Sequence, residues 1–316
     1  TLDVSVKEGT TVKGKIDIHN YEGGTANEMR IHGSLKATGD ITIINDERAV
    51  GEQITDITIG KDVTSDEEQD VIEGNHITIT AKGRILNNDR VTANKDVKMT
   101  SDEASVINPG SIATKDGNIT LTAKDILANY GGDITAENGT ISMYAGEEIN
   151  NNTGIKANNG DVILKAGYSI TNKKDEKGTG VIEASGKISM TTSDLSDSEM
   201  DDNSILNESE IKAGSDITMD AAADLLNSGS LTSTAGKVTL KGAQKADDTN
   251  DIIGHVSNTG TIDAKGDILL STKNGYVNNQ RQITSAEGSV TMDAKKAKSH
   301  TGEEVIGDIY NVGESG

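Results

Sequence analysis

Three observations in the 316-residue sequence predict an all-β fold, a right-handed parallel β-helix (solenoid) with three short strands per rung. A string returns in altered spelling: "LLNSGSLTSTAGKVTL" (225–240), "VINPGSIATKDGNITL" (106–121) and "EINNNTGIKANNGDVIL" (148–164). Within each copy the aliphatic residues stand two apart, which is the strand period. The composition, with no Phe, no Trp and 35 Gly, leaves a thin aliphatic core. Short strands joined by Gly, Asn and Ser corners bury their inner faces only when successive turns of chain stack. Spacings of about six, six to seven and eight residues favour the right-handed coil over the left-handed form built on strict six-residue repeats.

The undisturbed period is about 20–22 residues. Its middle strand is the clearest. It pairs Ile119 with Leu121, Ile141 with Met143, Val162 with Leu164, Ile217 with Met219 and Val238 with Leu240. Further copies open at Ile41, Ile77, Val97, Ile188, Ile268 and Val290. Every opening residue is Ile or Val, whose branched side chains suit a pleated surface. A second strand precedes the middle one and has a small residue at its second inward position, as in Ile155 with Ala157, Ile182 with Ala184, Ile211 with Ala213 and Ile262 with Ala264. A third strand follows and ends in Asn, at Asn108, Asn129, Asn151, Asn227 and Asn258. Asn20, Asn87, Asn172, Asn207, Asn279 and Asn311 are expected in the same slot.

Residues 75–316 carry the regular repeats, and 1–74 read as irregular N-terminal rungs. Insertions break the period near 173–181, 191–204, 241–255 and 293–308. The last three lengthen one corner, after the middle strands of alternate rungs. They are expected to project from one flank as a candidate binding face.

Two repeated residue types follow from stacking. Met99, Met143, Met190, Met219 and Met292 hold the second inward position of the middle strand, alternating with Leu121, Leu164, Leu240 and Leu270. They are expected to fill the core, since a thioether adapts to irregular gaps. The Asn slot lies two residues after an inward aliphatic, so its amides should also point inward, bonded one to the next in a ladder.

Charge and motif content narrow the function. A net charge of −21 disfavours a nucleic-acid partner, and no run of residues is apolar enough to insert in a bilayer. Without Cys there is no disulfide framework. His19, His32, His76, His255 and His300 are scattered, with neither metal-ligand nor nucleophile–base spacing, and read as surface or corner residues. "SDEEQD" (65–70) and "SDLSDSEMDDNS" (193–204) carry carboxylates of the kind calcium takes, but not at the spacing of a known loop, and read as solvated loops. Asn-x-Ser/Thr triplets at Asn118, Asn138, Asn151 and Asn207 read as corner and strand chemistry.

Arg30, Arg48, Arg84, Arg90 and Arg281 show no pairing with an Asp cluster in a regular rung. Together with the scarcity of aromatic platforms for sugar rings, this disfavours a polysaccharide-cleaving β-helix. No catalytic residue, cofactor site or metal site is expected. An opening at Thr1, without Met or a signal-like apolar run, is expected of a piece of a longer protein.

"NTGTIDAKGDILLST" (258–272) and "NPGSIATKDGNITLTA" (108–123) follow the pattern N-x-G-x-I-x-A-x-x-G-x-I-x-L-x-A. In this the chain resembles the filamentous haemagglutinin family of large bacterial exoproteins, over roughly residues 75–295. The resemblance implies secretion from a Gram-negative cell through an outer-membrane transporter, and a role as adhesin or as stalk for a distal toxin. The expected function is therefore a non-catalytic structural or adhesive segment of a secreted cell-surface filament. Its expected partner is a receptor or glycan on a host or neighbouring cell. The alternative expectation is a β-helical lyase or hydrolase acting on polysaccharide.

Overall fold

A computed structural model describes residues 2–5, 11–20, 28–45, 55–60, 70–174, 180–193, 205–246, 253–295, 297–298, 304–305 and 307–312. Every regular element among them is a strand. Apart from one antiparallel pair, Ala297–Lys298 with Glu304–Val305, the strands form three parallel sheets that the chain visits in turn. This is a right-handed parallel β-helix with three strands per rung. Sheet A holds the Asn-ending strands, sheet B those with a small second residue, and sheet C the middle strands.

The chain divides into two compact units, residues 1–146 with 152–160, and 147–151 with 161–316. In the first, sheet C runs through Ile16–His19, Ile41–Asn45, Ile77–Ala81, Val97–Ser101, Ile119–Ala123 and Ile141–Ala145. The strand Ile16–His19 lies outside the expected set, and it pairs Ile16 with Ile41 and Ile18 with Ile43. In the second unit, sheet C runs in unbroken register from Val162 through Ile188, Ile217, Val238 and Ile268 to Val290. The branched residues that open each strand therefore stand in columns.

The Met and Leu positions form the neighbouring column. Met99, Leu121 and Met143 in the first unit, and Leu164, Met190, Met219, Leu240 and Leu270 in the second, are fully buried. Each such side chain contributes about 1.5–3 kcal/mol by leaving water, which sustains a core without large aromatics. Met190 pairs directly with Met219, so the alternation with Leu is not strict. Met292 is only half-buried, because its strand is the last of sheet C. The corners repeat as tightly. A Cβ on Gly139 would run into the Gly117 carbonyl, and one on Gly160 into that of Gly139. Rungs about 4.8 Å apart leave no room for a side chain there.

The amide ladder is present in sheet A. In the first unit Asn87 Nδ2 donates to Asn108 Oδ1 at 2.7 Å, and Asn108 donates to Asn129 at 2.8 Å. In the second, Asn151, Asn172, Asn207, Asn227, Asn258, Asn279 and Asn311 form one chain with bonds of 2.7–3.0 Å. Every amide donates in the same direction, so the dipoles align head to tail and reinforce one another. The second N–H of Asn207, Asn258 and Asn279 goes to the carbonyls of Ser209, Gly260 and Arg281. Asn87 opens the ladder above Ile59, a residue with no donor to offer. Its buried Oδ1 accordingly has no partner among the described residues.

Asn20 is a correction. It donates to Asn45 at 2.9 Å at the end of sheet C, a different corner, while Ile31 and Ile59 fill the Asn slot of the early rungs. The insertions also shift. The strands Ile188–Thr192, Val238–Gly242 and Val290–Ala294 each last five residues, so Thr192, Gly242 and Ala294 still belong to sheet C. The bulk of the expected insertions, at 175–179, 194–204, 247–252 and 299–303, lies outside the described residues.

Candidate functional site

Inward positions are occupied by packing and by the ladder, so any chemistry must come from corners and outer faces. Much of the acidic charge at the corners holds rungs together. The carboxylates of Asp96, Asp161, Asp216 and Asp267 accept the backbone N–H groups of Asn118, Lys187, Lys237 and Ser289, one rung on, at 2.7–3.0 Å. The Ser289 N–H holds the Asp267 carboxyl below its ordinary value of 3.8, and the Asn75 amide does the same for Asp40. Asn151 and Asn207, two of the glycosylation triplets, are buried in the ladder and closed to modification.

The outward residue at or just before the start of each sheet A strand gathers the remaining groups. In the first unit this column reads Glu28, Asp56, Arg84. Arg84 pairs with Asp56 at 3.5 Å and donates its backbone N–H to the same carboxylate at 2.7 Å. Arg30, one outward step along, pairs with Glu28 at 2.9 Å, and Thr58 donates to the other Glu28 oxygen. The Arg30 hydrogen bond holds the Glu28 carboxyl below its ordinary value of 4.5, with burial opposing it. Two acids and two arginines thus meet on one strand face, all but Arg84 in the irregular N-terminal rungs and so outside the regular rungs in which no Arg is expected beside an Asp cluster. The 28-residue rungs here hide that register from a search at 20–22 residues.

In the second unit the same column reads Asp224, His255, Tyr276, Asp308, each linked to the next rung by the ladder bonds of Leu225, Val256 and Val277. The His255 imidazole stacks on the Tyr276 ring with centroids 3.7 Å apart and planes at 17°. Tyr310, one outward step beyond Asp308, meets Tyr276 edge to face, at 6.3 Å and 80°. Its hydroxyl donates to Asp308 Oδ2 at 2.8 Å, and that carboxylate pushes the phenol above its ordinary 10.0. The backbone holds the cluster in place. The His255 N–H donates to Asp224 Oδ1 at 2.7 Å, and the Tyr276 N–H donates to His255 Nδ1 at 3.2 Å. Burial pushes the His255 pKa below 6.5, against the pull of Asp224, which keeps Nδ1 unprotonated as an acceptor. Gly275 turns the chain into this corner with φ 145°, where a side chain would meet the Gly254 carbonyl.

Tyr276 and Tyr310 are 36% and 51% exposed, so both tyrosines reach solvent at one corner. Sequence reasoning treated aromatics as too scarce to form a platform and missed this. The available signal was the 21-residue step from His255 to Tyr276, each just before the Val that opens a sheet A strand.

The other histidines are dispersed. His32 faces Asp3 at 3.7 Å, His76 faces Asp96 at 3.2 Å, and His19 is exposed, while His300 lies outside the described residues. Among the described residues no group of three or more His, Asp and Glu is placed to hold a metal ion. Most of the two acidic runs, 65–69 and 194–204, lies outside them. No family model, curated protein or solved structure matches this chain.

Proposed function

We propose that this chain is a non-catalytic structural and adhesive segment of a secreted bacterial surface filament, with the corner of His255, Tyr276 and Tyr310 as its contact site. One observation carries the reading. The repeated polar side chains bond rung to rung, while the rings of two exposed tyrosines stand together on the outer face outside that hydrogen bonding. The haemagglutinin-like repeat pattern supports placement at the cell surface after export through an outer-membrane transporter. A receptor or glycan on another cell would then be the partner. The test is attachment of cells displaying the chain. Tyr276→Ala and Tyr310→Ala should abolish it, and attachment at the wild-type level would reject the contact site.

The acid–arginine face of the first unit favours one other reading, a polysaccharide-cleaving enzyme. Its chemistry is unsuited to proton transfer, because Arg30 keeps Glu28 ionised and each arginine is held by a carboxylate. A depolymerisation assay decides between the two readings. Cleavage that disappears in Glu28→Gln and Arg84→Ala would establish the enzyme.

A further inference from the structure

We infer that the corner between Tyr276 and Tyr310 takes a quaternary ammonium group, of the trimethylammonium type, with Asp308 as its counter-charge; this rests on the reading of that corner as the contact site. The ring planes stand at 80° with centroids 6.3 Å apart. With the centroids 6.3 Å apart, a cation can stand within the roughly 6 Å reach of cation–π attraction from both rings at once. The negative ring faces supply the attraction, and quaternary ammonium ions are the cations they hold best in competition with water.

The surrounding charge points the same way. Asp308 follows Tyr276 in the column, one rung on, and its carboxylate holds the Tyr310 hydroxyl. Asp224 lies three rungs before Asp308 in the same column, and His255 between them is kept neutral. The whole chain carries −21. An anionic ligand would be repelled. A primary ammonium brings three N–H donors, which need acceptors. The ring faces offer none, and the one carboxylate at the corner, Asp308, already accepting from Tyr310, cannot serve all three. A trimethylammonium group has no N–H to satisfy. A neutral sugar stacks on a flat platform, and rings at 80° share no plane. His255 acts here as a positioning residue, covering one face of Tyr276 and fixing its backbone through Nδ1.

The chain has no Trp and six Tyr, so intrinsic tyrosine fluorescence reports on this corner. Choline chloride is titrated into the full chain, with sodium chloride at matched ionic strength as the blank, and ethanolamine and a neutral oligosaccharide as competitors. Saturable binding is expected that is stronger for choline than for ethanolamine and weakens with added salt. Tyr276→Ala and Tyr310→Ala should each weaken it by about tenfold or more, and Asp308→Asn by several-fold. Tyr130→Ala, at an exposed tyrosine of the first unit, should leave it unchanged. Melting temperatures of all variants guard against misfolding, and Asp308→Asn, which keeps both rings, serves if an alanine variant does not fold. Choline binding that is absent, or equal in all variants, overturns the inference. If Tyr276→Ala abolishes cell attachment while choline neither binds nor competes, the ligand class is wrong and the contact site stands. If attachment survives in Tyr276→Ala and Tyr310→Ala, the contact site itself fails.

Discussion

The residue at or just before the start of each sheet A strand occupies the same place in the repeat throughout, yet its two stretches differ in kind. In the first unit Glu28, Asp56 and Arg84, with Arg30 alongside, neutralise one another. In the second, Asp224, His255, Tyr276 and Asp308 leave negative charge and aromatic surface facing water. The inward columns of sheet C change less between the units, with Ile or Val opening each strand and Ile, Met or Leu behind it. A stacked coil constrains what is buried and leaves the outer face free to diverge. The contrast predicts where substitutions matter, and by how much.

The largest effects should follow inward charge, equally in both units. Met99→Asp and Met219→Asp each bury a carboxylate without a partner, at several kcal/mol, and should abolish the cooperative melt. Thr120→Asp and Thr218→Asp, on the outward side of sheet C, should shift the melting temperature by a few degrees at most. Comparable losses at inward and outward sites would break the contrast.

Next come the amides. Asn108→Ala and Asn227→Ala each strand two buried neighbours in the ladder and should cost about 1–3 kcal/mol in denaturant titration. Asn278→Ala, outward and adjacent to the ladder, should cost less than about 0.5 kcal/mol. Asn274, in the turn before Tyr276, is 6% exposed, so Asn274→Ala should rank with the ladder and not with the surface.

The outer columns should separate by function more than by stability. Arg84→Ala removes a partly exposed ion pair worth about 0.2–1 kcal/mol and should leave attachment intact. Tyr276→Ala should remove attachment at a similar stability cost. Loss of attachment in Arg84→Ala instead would move the contact site to the first unit.

Acid titration should distinguish the columns more finely. The His255 pKa is lowered on folding, so the unfolded chain binds the proton more readily. Its contribution is complete above 6.5 and is lost as pH falls through the lower folded value. The lowered Glu28 and Asp267 carboxyls contribute fully above their ordinary 4.5 and 3.8, and lose that contribution only as pH falls through their lower folded values. Melting temperature should therefore begin to decline just below pH 6.5 in the wild type, and His255→Gln should flatten that first part alone. An unchanged slope would mean that His255 is not held neutral.

The smallest effect concerns the flank. Replacing 247–252 by a short Gly-Ser turn should barely move the melting temperature, since loop closure entropy changes slowly with length. Ala243 and Gly254 must be kept, because their N–H groups bond to the carbonyls of Ala223 and Asn274. Attachment should persist, and its loss would restore the insertions as the binding face.

The strands and the ladder were legible because stacking repeats the same demand. Ile119, Ile141 and Val162 meet one environment, and Asn207, Asn227 and Asn258 meet another. Ile16–His19 escaped because the connections before and after the next rung, through 21–27 and 46–54, break the period. Asn20 was misplaced for the same reason, since the spacing that marks an Asn slot does not distinguish one corner from another. The aromatic corner had no such repeated demand behind it.

What the sequence alone determined, then, is the buried half of this protein: three strands per rung, an aliphatic interior and a line of amides. Burial punishes departures at every rung, so the pattern is written many times over. Which outward residues meet was decided only by the tertiary structure. Glu28 reaches Asp56 and Arg84 across two 28-residue rungs, and Tyr276 reaches Tyr310 across 34 residues. Those meetings depend on the hydrogen-bond register between rungs of unequal length, and backbone pairing sets that register whatever the intervening loops contain.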